Sequence, residues 1–144
     1  MKKQLLSFFL ILIFATGCSS RNSEKGYDKI TINQNTWDVE MVSTNDTQKR
    51  GLSHRPSLKE KSGMLFVFST SSNHSFWMKN MNFPLDIIWI NNKKIVKIDY
   101  NLAPEGELPT KNYNSDQPVD LVLEINAGEA KKYNLSIGDQ ITSK

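Results

Sequence analysis

The chain has 144 residues, with 18 Lys and Arg against 15 Asp and Glu, and a single cysteine. That length builds one domain with a real core and hardly two. One cysteine excludes an internal disulfide, CxxC redox chemistry and any metal site made of several thiolates.

At the N-terminus, Lys2 and Lys3 precede Leu5 to Phe14, a run in which only Ser7 is polar. A helix that crosses a bilayer needs about 20 apolar residues, so this run has the length of a signal-peptide core instead. Ala15-Thr16-Gly17-Cys18 follows. It resembles the lipobox of bacterial lipoproteins, with Ala15 where Leu is more usual. The resemblance implies cleavage before Cys18, a fatty-acyl (palmitate-type) anchor on Cys18, and a partner in the lipid bilayer. The domain is then expected in the cell envelope, facing the periplasm. An acylated Cys18 leaves no thiol for a cysteine protease. Loss of residues 1–17 removes two lysines and no acid, so the net charge falls from +3 to +1. The alkaline composition is then no argument for nucleic acid, and none is expected as a partner. Residues 18–28 have one aromatic and no aliphatic side chain, which predicts the anchor and a flexible tether.

Residues 29–144 are expected to form a single β-rich domain. Period-two alternation dominates them, the mark of half-buried strands. Ile30 and Ile32 begin it. Trp37, Val39 and Met41 alternate with Asp38 and Glu40. Asn45 or Thr47 is positioned to cap a short helical turn that runs to Arg50 and stops at Gly51. Met64, Phe66 and Phe68 alternate with Leu65 and Val67, so this strand is apolar on both sides and belongs in the centre of a sheet. Leu85 to Ile90 is similar, with Asp86 its one charge. Asn91-Asn92 is the signal for a tight hairpin before Val96, Ile98 and Tyr100. Residues 106–118 hold two prolines and many polar side chains and predict a loop. Val119 to Ile125 is another strand. Asn126, with Glu129 three residues on, predicts a capping box over Ala127 to Tyr133. Leu135, Ile137 and Ile141 around Gly138-Asp139 suggest a last strand or hairpin. The fold class is mainly β: a compact antiparallel barrel or sandwich-like domain with one or two short helices.

No nucleophile elbow, P-loop or HExxH motif is present. The densest stretch runs from Ser75 to Asp86. Lys79 and Asp86 flank the bend at Pro84, where they can pair to brace a corner or hold a polar ligand beside Trp77. His74, Met78 and Met81, with Met64 and Met41, are the soft donors that copper(I) would use, although methionine is also ordinary core filler. Asp86 and Glu124 are candidate partners for acid–base hydrolysis, each on an otherwise apolar strand.

Arg50-Gly51-Leu52-Ser53-His54-Arg55, Gly63 to Phe68, Phe76-Trp77-Met78-Lys79-Asn80-Met81, Pro84 to Ile90, Tyr113-Asn114-Ser115, Val122 to Gly128 and Gly138-Asp139 together resemble the bacterial and archaeal domain of unknown function 192. The resemblance spans about Trp37 to Ile141. It implies a small β-rich barrel or sandwich, often exported or membrane-anchored, with no established activity. Shared positions that would line a site are Arg50, Arg55, Trp77, Lys79, Asn80, Asp86 and Glu124. Two positions depart from the pattern: Ser53 stands where Met is usual, and Met81 stands where Thr is usual. The leading expectation is a non-catalytic, lipid-anchored domain that binds a small polar ligand or a partner protein, without cofactor or metal. The alternative is a metal-independent hydrolase built on Asp86 and Glu124.

Overall fold

The computed structural model describes residues 28–143. The signal segment, Cys18 and all but the last residue of the tether therefore lie outside the described residues. The strands are β1 (Lys29–Ile32), β2 (Asn35–Val42), β3 (Ser62–Ser72), β4 (Ser75–Phe76), β5 (Leu85–Asn91), β6 (Lys94–Leu102), β7 (Tyr113–Asn114), β8 (Val119–Asn126) and β9 (Ile141–Ser143). Two short helices join them, α1 (Asn45–Arg50) and α2 (Glu129–Lys132).

Seven strands form one sheet in the order β6-β5-β8-β3-β2-β1-β9, and β4 pairs with β7 as a separate ribbon. Neighbours in the large sheet are antiparallel except β2 and β3, which run parallel through the α1 crossover. The sheet curls into a half-barrel. Its two edges meet at one end, where Ile95 N–H donates to Asp139 O at 2.9 Å, Gly138 N–H to Ile95 O at 2.8 Å and Ile141 N–H to Lys93 O at 2.9 Å. The fold is thus the β-rich class that the alternation predicts, curled but not fully closed.

The period of two sorts the side chains into two cores. One gathers Ile30, Trp37, Leu65, Ile88, Leu123 and Ile125 with Ile95, Ile98 and Ile141. It joins residues from both sheet edges, so it fills the concave side. The other holds Val42, Met64, Phe66, Leu85, Ile87, Trp89 and Val122 on the convex side, roofed by Leu52, Met78 and Met81. Strand β3 is central, between β2 and β8, as its two apolar faces predict.

The turns differ in detail from the sequence expectation. The β5–β6 hairpin turns on Asn92-Lys93 rather than Asn91-Asn92, with φ of 48° and 62°. These are the left-handed values that a two-residue type I′ turn requires. Asn33-Gln34 makes the same turn between β1 and β2, with φ of 47° and 66°. Helix α1 is capped by Thr44, one residue before the expected Asn45, in a reciprocal box with Thr47. Helix α2 has no capping box, because Asn126 is bonded elsewhere, to Leu58 O and Lys59 O. The expected loop 106–118 contains β7, which is held by β4.

Gly63 lets β3 and β8 approach closely. A Cβ there would lie 2.8 Å from the Glu124 carbonyl oxygen and 3.0 Å from a Leu123 methyl. The first contact is backbone in the middle of a sheet and has little room to yield. Gly63→Ala is expected to destabilise the domain by about 1–3 kcal/mol through overpacking. Urea unfolding measures it, and an unchanged midpoint would show that the sheet spreads without penalty.

Candidate functional site

On the convex side the cover is incomplete. A groove of about 750 Å³, open mouth included, runs between the end of α1, residues 50–53, the aromatic end of β3 and residues 74–77. Gln48 ties α1 to the sheet by donating to Val67 O at 3.0 Å. Gly51 closes the helix at φ 50° and lies over Phe66, whose ring end would be 3.5 Å from a Cβ there. Phe66 meets Phe76 edge-on at 4.8 Å, and Phe68 stacks on His74 with ring centroids 3.5 Å apart. His74 also pairs with the Ser72 hydroxyl at 3.0 Å. Burial pushes its ring below the usual histidine range, which favours the neutral form. Trp77 is 48% exposed and lines the groove, whereas Trp37 and Trp89 are fully buried.

Glu124 lies at the groove floor. It is only 5% exposed, and its carboxyl makes no hydrogen bond or ion pair among the described residues. Its cross-strand neighbours are Met64 on β3 and Ile87 on β5, both buried and apolar. Burial without a compensating charge pushes its pKa up to about 8.

The candidates from sequence separate into groups. Arg50, Trp77 and Glu124 come together in the groove. Arg55 is ion-paired to Glu40 at 2.7 Å. Asn80 shapes a backbone corner at φ 54°, where its carbonyl accepts from His54 N–H and its N–H donates to Gly106 O. Lys79 bridges to the Glu105 backbone and makes no ion pair with Asp86. Asp86 is fully buried and works alone: it accepts from Asn101 N–H at 2.8 Å and from Ala130 N–H at 3.0 Å. It therefore supplies the α2 cap that the sequence assigned to Asn126. Asp86 stands opposite Ile125, and Glu124 stands opposite Ile87, so the two acids face opposite sides of the sheet. They cannot work as a carboxylate pair. Met64, Met78 and Met81 pack in the convex core as apolar filler, which is the simpler of the two methionine expectations.

The match to a family model extends over residues 28–143, and that family is described as an uncharacterised conserved group, domain of unknown function 192. The chain belongs to this family. Two solved structures share the fold. One is a protein of unknown function from Novosphingobium aromaticivorans, 28% identical, with TM-score 0.74 over 79% of this chain and 83% of that one. The other, from Sinorhizobium meliloti, is described provisionally as a transcription regulator; it is 30% identical, with TM-score 0.74 over 80% of this chain and 92% of that one. No curated protein matches. Ser53 and Met81 both line the groove.

Sequence reasoning missed Lys49, Phe68 and Phe76 as lining residues, and it weighed His74 only as a metal ligand. The Phe66-Val67-Phe68 alternation was a usable signal, since Phe68 lies beyond the well-buried part of β3. Nothing local told that α1 would return over it.

Two stability measurements separate the acids. Asp86→Ala strands two backbone donors, one of them fully buried, and should cost about 2–5 kcal/mol. Lys79→Ala should stay within about 1 kcal/mol. Equal losses in urea would restore the Lys79–Asp86 pair. For Glu124, the unfolded carboxyl titrates near 4.5 and the folded one near 8. Between these values the folded state keeps a proton that the unfolded chain has released. Stability therefore falls as pH rises across this window, by up to about 1.4 kcal/mol per pH unit. Glu124→Gln should remove this part of the slope, leaving the variant more stable than wild type near pH 8 and similar near pH 5. Parallel slopes for the two proteins would show that Glu124 is not held protonated.

Proposed function

We propose that the domain is a non-catalytic binding module that takes one small ligand in the convex groove, and that an acyl chain on Cys18 holds it at the bacterial envelope, facing the periplasm. The observation that carries the reading is the unpartnered carboxyl of Glu124 at the floor of an open aromatic groove. The Glu124 carboxyl lines the groove and has no partner among the described residues, so a ligand seated there can supply its hydrogen bond. The half-exposed Trp77 supports the same reading, as an amphipathic ring at the mouth of a concavity. A catalytic reading would need a second acid, base or nucleophile beside Glu124, and His74 is engaged with Phe68 and Ser72.

A fragment screen followed by amide chemical shifts tests the groove. Bound fragments should perturb Gly51, Ser75 and Trp77, and Trp77→Ala should weaken them by roughly tenfold, about 1.4 kcal/mol. Fragments that shift only residues outside the groove would sink the reading. The anchor is tested separately: fatty-acid label should enter the wild-type chain and not Cys18→Ser, and equal label in both would remove the anchor.

A further inference from the structure

The charged groups that line the groove are few: Lys49 and Arg50 at the rim, His74 on one wall and Glu124 at the floor. Both cations are exposed, and neither is ion-paired with any described residue. The groove's other polar side chains include two already in use, since the Gln48 amide donates to Val67 O and the Ser53 hydroxyl to Lys79 O at 3.0 Å. A positive rim, flat aromatic walls and, at depth, one carboxyl with no partner among the described residues form a graded site.

Resting on the groove reading above, we propose that the ligand is a small organic anion with a flat apolar body and a hydrogen-bond acceptor at the end remote from its charge. The anionic end sits by Lys49 and Arg50, the body lies between Phe68 and Trp77, and the acceptor meets the Glu124 carboxyl. At neutral pH the Glu124 carboxyl is mostly protonated, so it donates a hydrogen bond rather than attracting a cation. Burial favours the neutral form of His74, so Lys49 and Arg50 are the groove's fixed positive charges among the described residues. A cationic ligand would meet two like charges at the entrance. It would be matched only by ionising Glu124, whose flanking Met64 and Ile87 offer the charge no solvation. An anion gains Coulomb attraction at the rim and meets a mostly protonated carboxyl at the floor.

Three ring-matched probes test this on the full chain in neutral detergent: 4-acetylbenzoate, 4-acetylbenzamide and 4-acetylbenzylamine. Each presents the same ketone to Glu124 and differs in charge at the other end. Titrations followed by the amide shifts of Gly51, Ser75 and Trp77 should give the benzoate at least ~10-fold tighter binding than the amine, with the amide between them. In Lys49→Ala/Arg50→Ala the benzoate's advantage should collapse to about threefold or less. Raising the pH from about 7 to about 9 should weaken benzoate binding to wild type but not to Glu124→Gln, which keeps a donor that cannot ionise. An amine that binds as tightly as the benzoate, or a preference that survives removal of both cations, overturns the anion proposal and leaves the groove reading standing. If all three probes leave the groove amides unmoved at millimolar concentration, the groove reading falls and the anion proposal falls with it.

Discussion

Strands β5, β8 and β3 lie side by side in the sheet and are apolar on both faces, so neither side of it can be left to water. Curling the sheet solves one side. Its edges come together at Lys93–Ile95 and Gly138–Ile141, and the concave face fills with its own side chains. Curling leaves the convex face bare, and a sheet of this width cannot cover its own back. The segments between strands must do it, and Leu52, Met78 and Met81 are the side chains that they press onto Met64, Phe66 and Trp89. Much of the irregular backbone in the domain follows from this second requirement. The left-handed corners at His54 and Asn80, joined by the hydrogen bond from His54 N–H to Asn80 O, belong to that cover.

The groove is the part of the convex face that the cover does not reach. Its position explains the odd chemistry of its floor. Glu124 occupies a register position that on either neighbouring strand belongs to an apolar side chain, Met64 or Ile87. An aliphatic residue there would make the domain more stable and close the floor with hydrocarbon. The other buried acids have been absorbed into the architecture. Asp86 joins β6 to α2, and Glu129 accepts from the Trp37 indole at 2.6 Å and from Lys61 N–H at 3.0 Å. Glu124 has no such partner among the described residues, and that contrast sets it apart.

Strand content and the central place of β3 were legible in the sequence because they depend on alternation, which a chain displays locally. The register that puts Asp86 and Glu124 on opposite faces was not legible. Each acid interrupts an apolar strand in the same way, and only the pairing of Asp86 with Ile125 and of Glu124 with Ile87 shows which way each one points. The Lys79–Asp86 pair failed for a related reason. Pro84 does mark a bend, but Asp86 is drawn into the concave side by two backbone donors, 15 and 44 residues later in the chain. Of the groove, Arg50, Trp77 and Glu124 were among the residues chosen from sequence. Lys49 and Phe68 were not, since their role comes from where α1 lands on β3. A helix of six residues carries no buried position of its own to announce that docking.

Strand β9 lies against β1, with Ile30 opposite Ser143. Directly paired residues in antiparallel strands are about 5 Å apart. The first and last strands of the described residues are therefore neighbours along one edge. Order along the polypeptide is thus nearly incidental to this architecture. A few residues would be enough to join the two ends, and new ends could then be opened at the loop carrying Leu108, which is 87% exposed. The same seven-stranded curl and the same groove could then hang from a different point on the surface, turned to face another way.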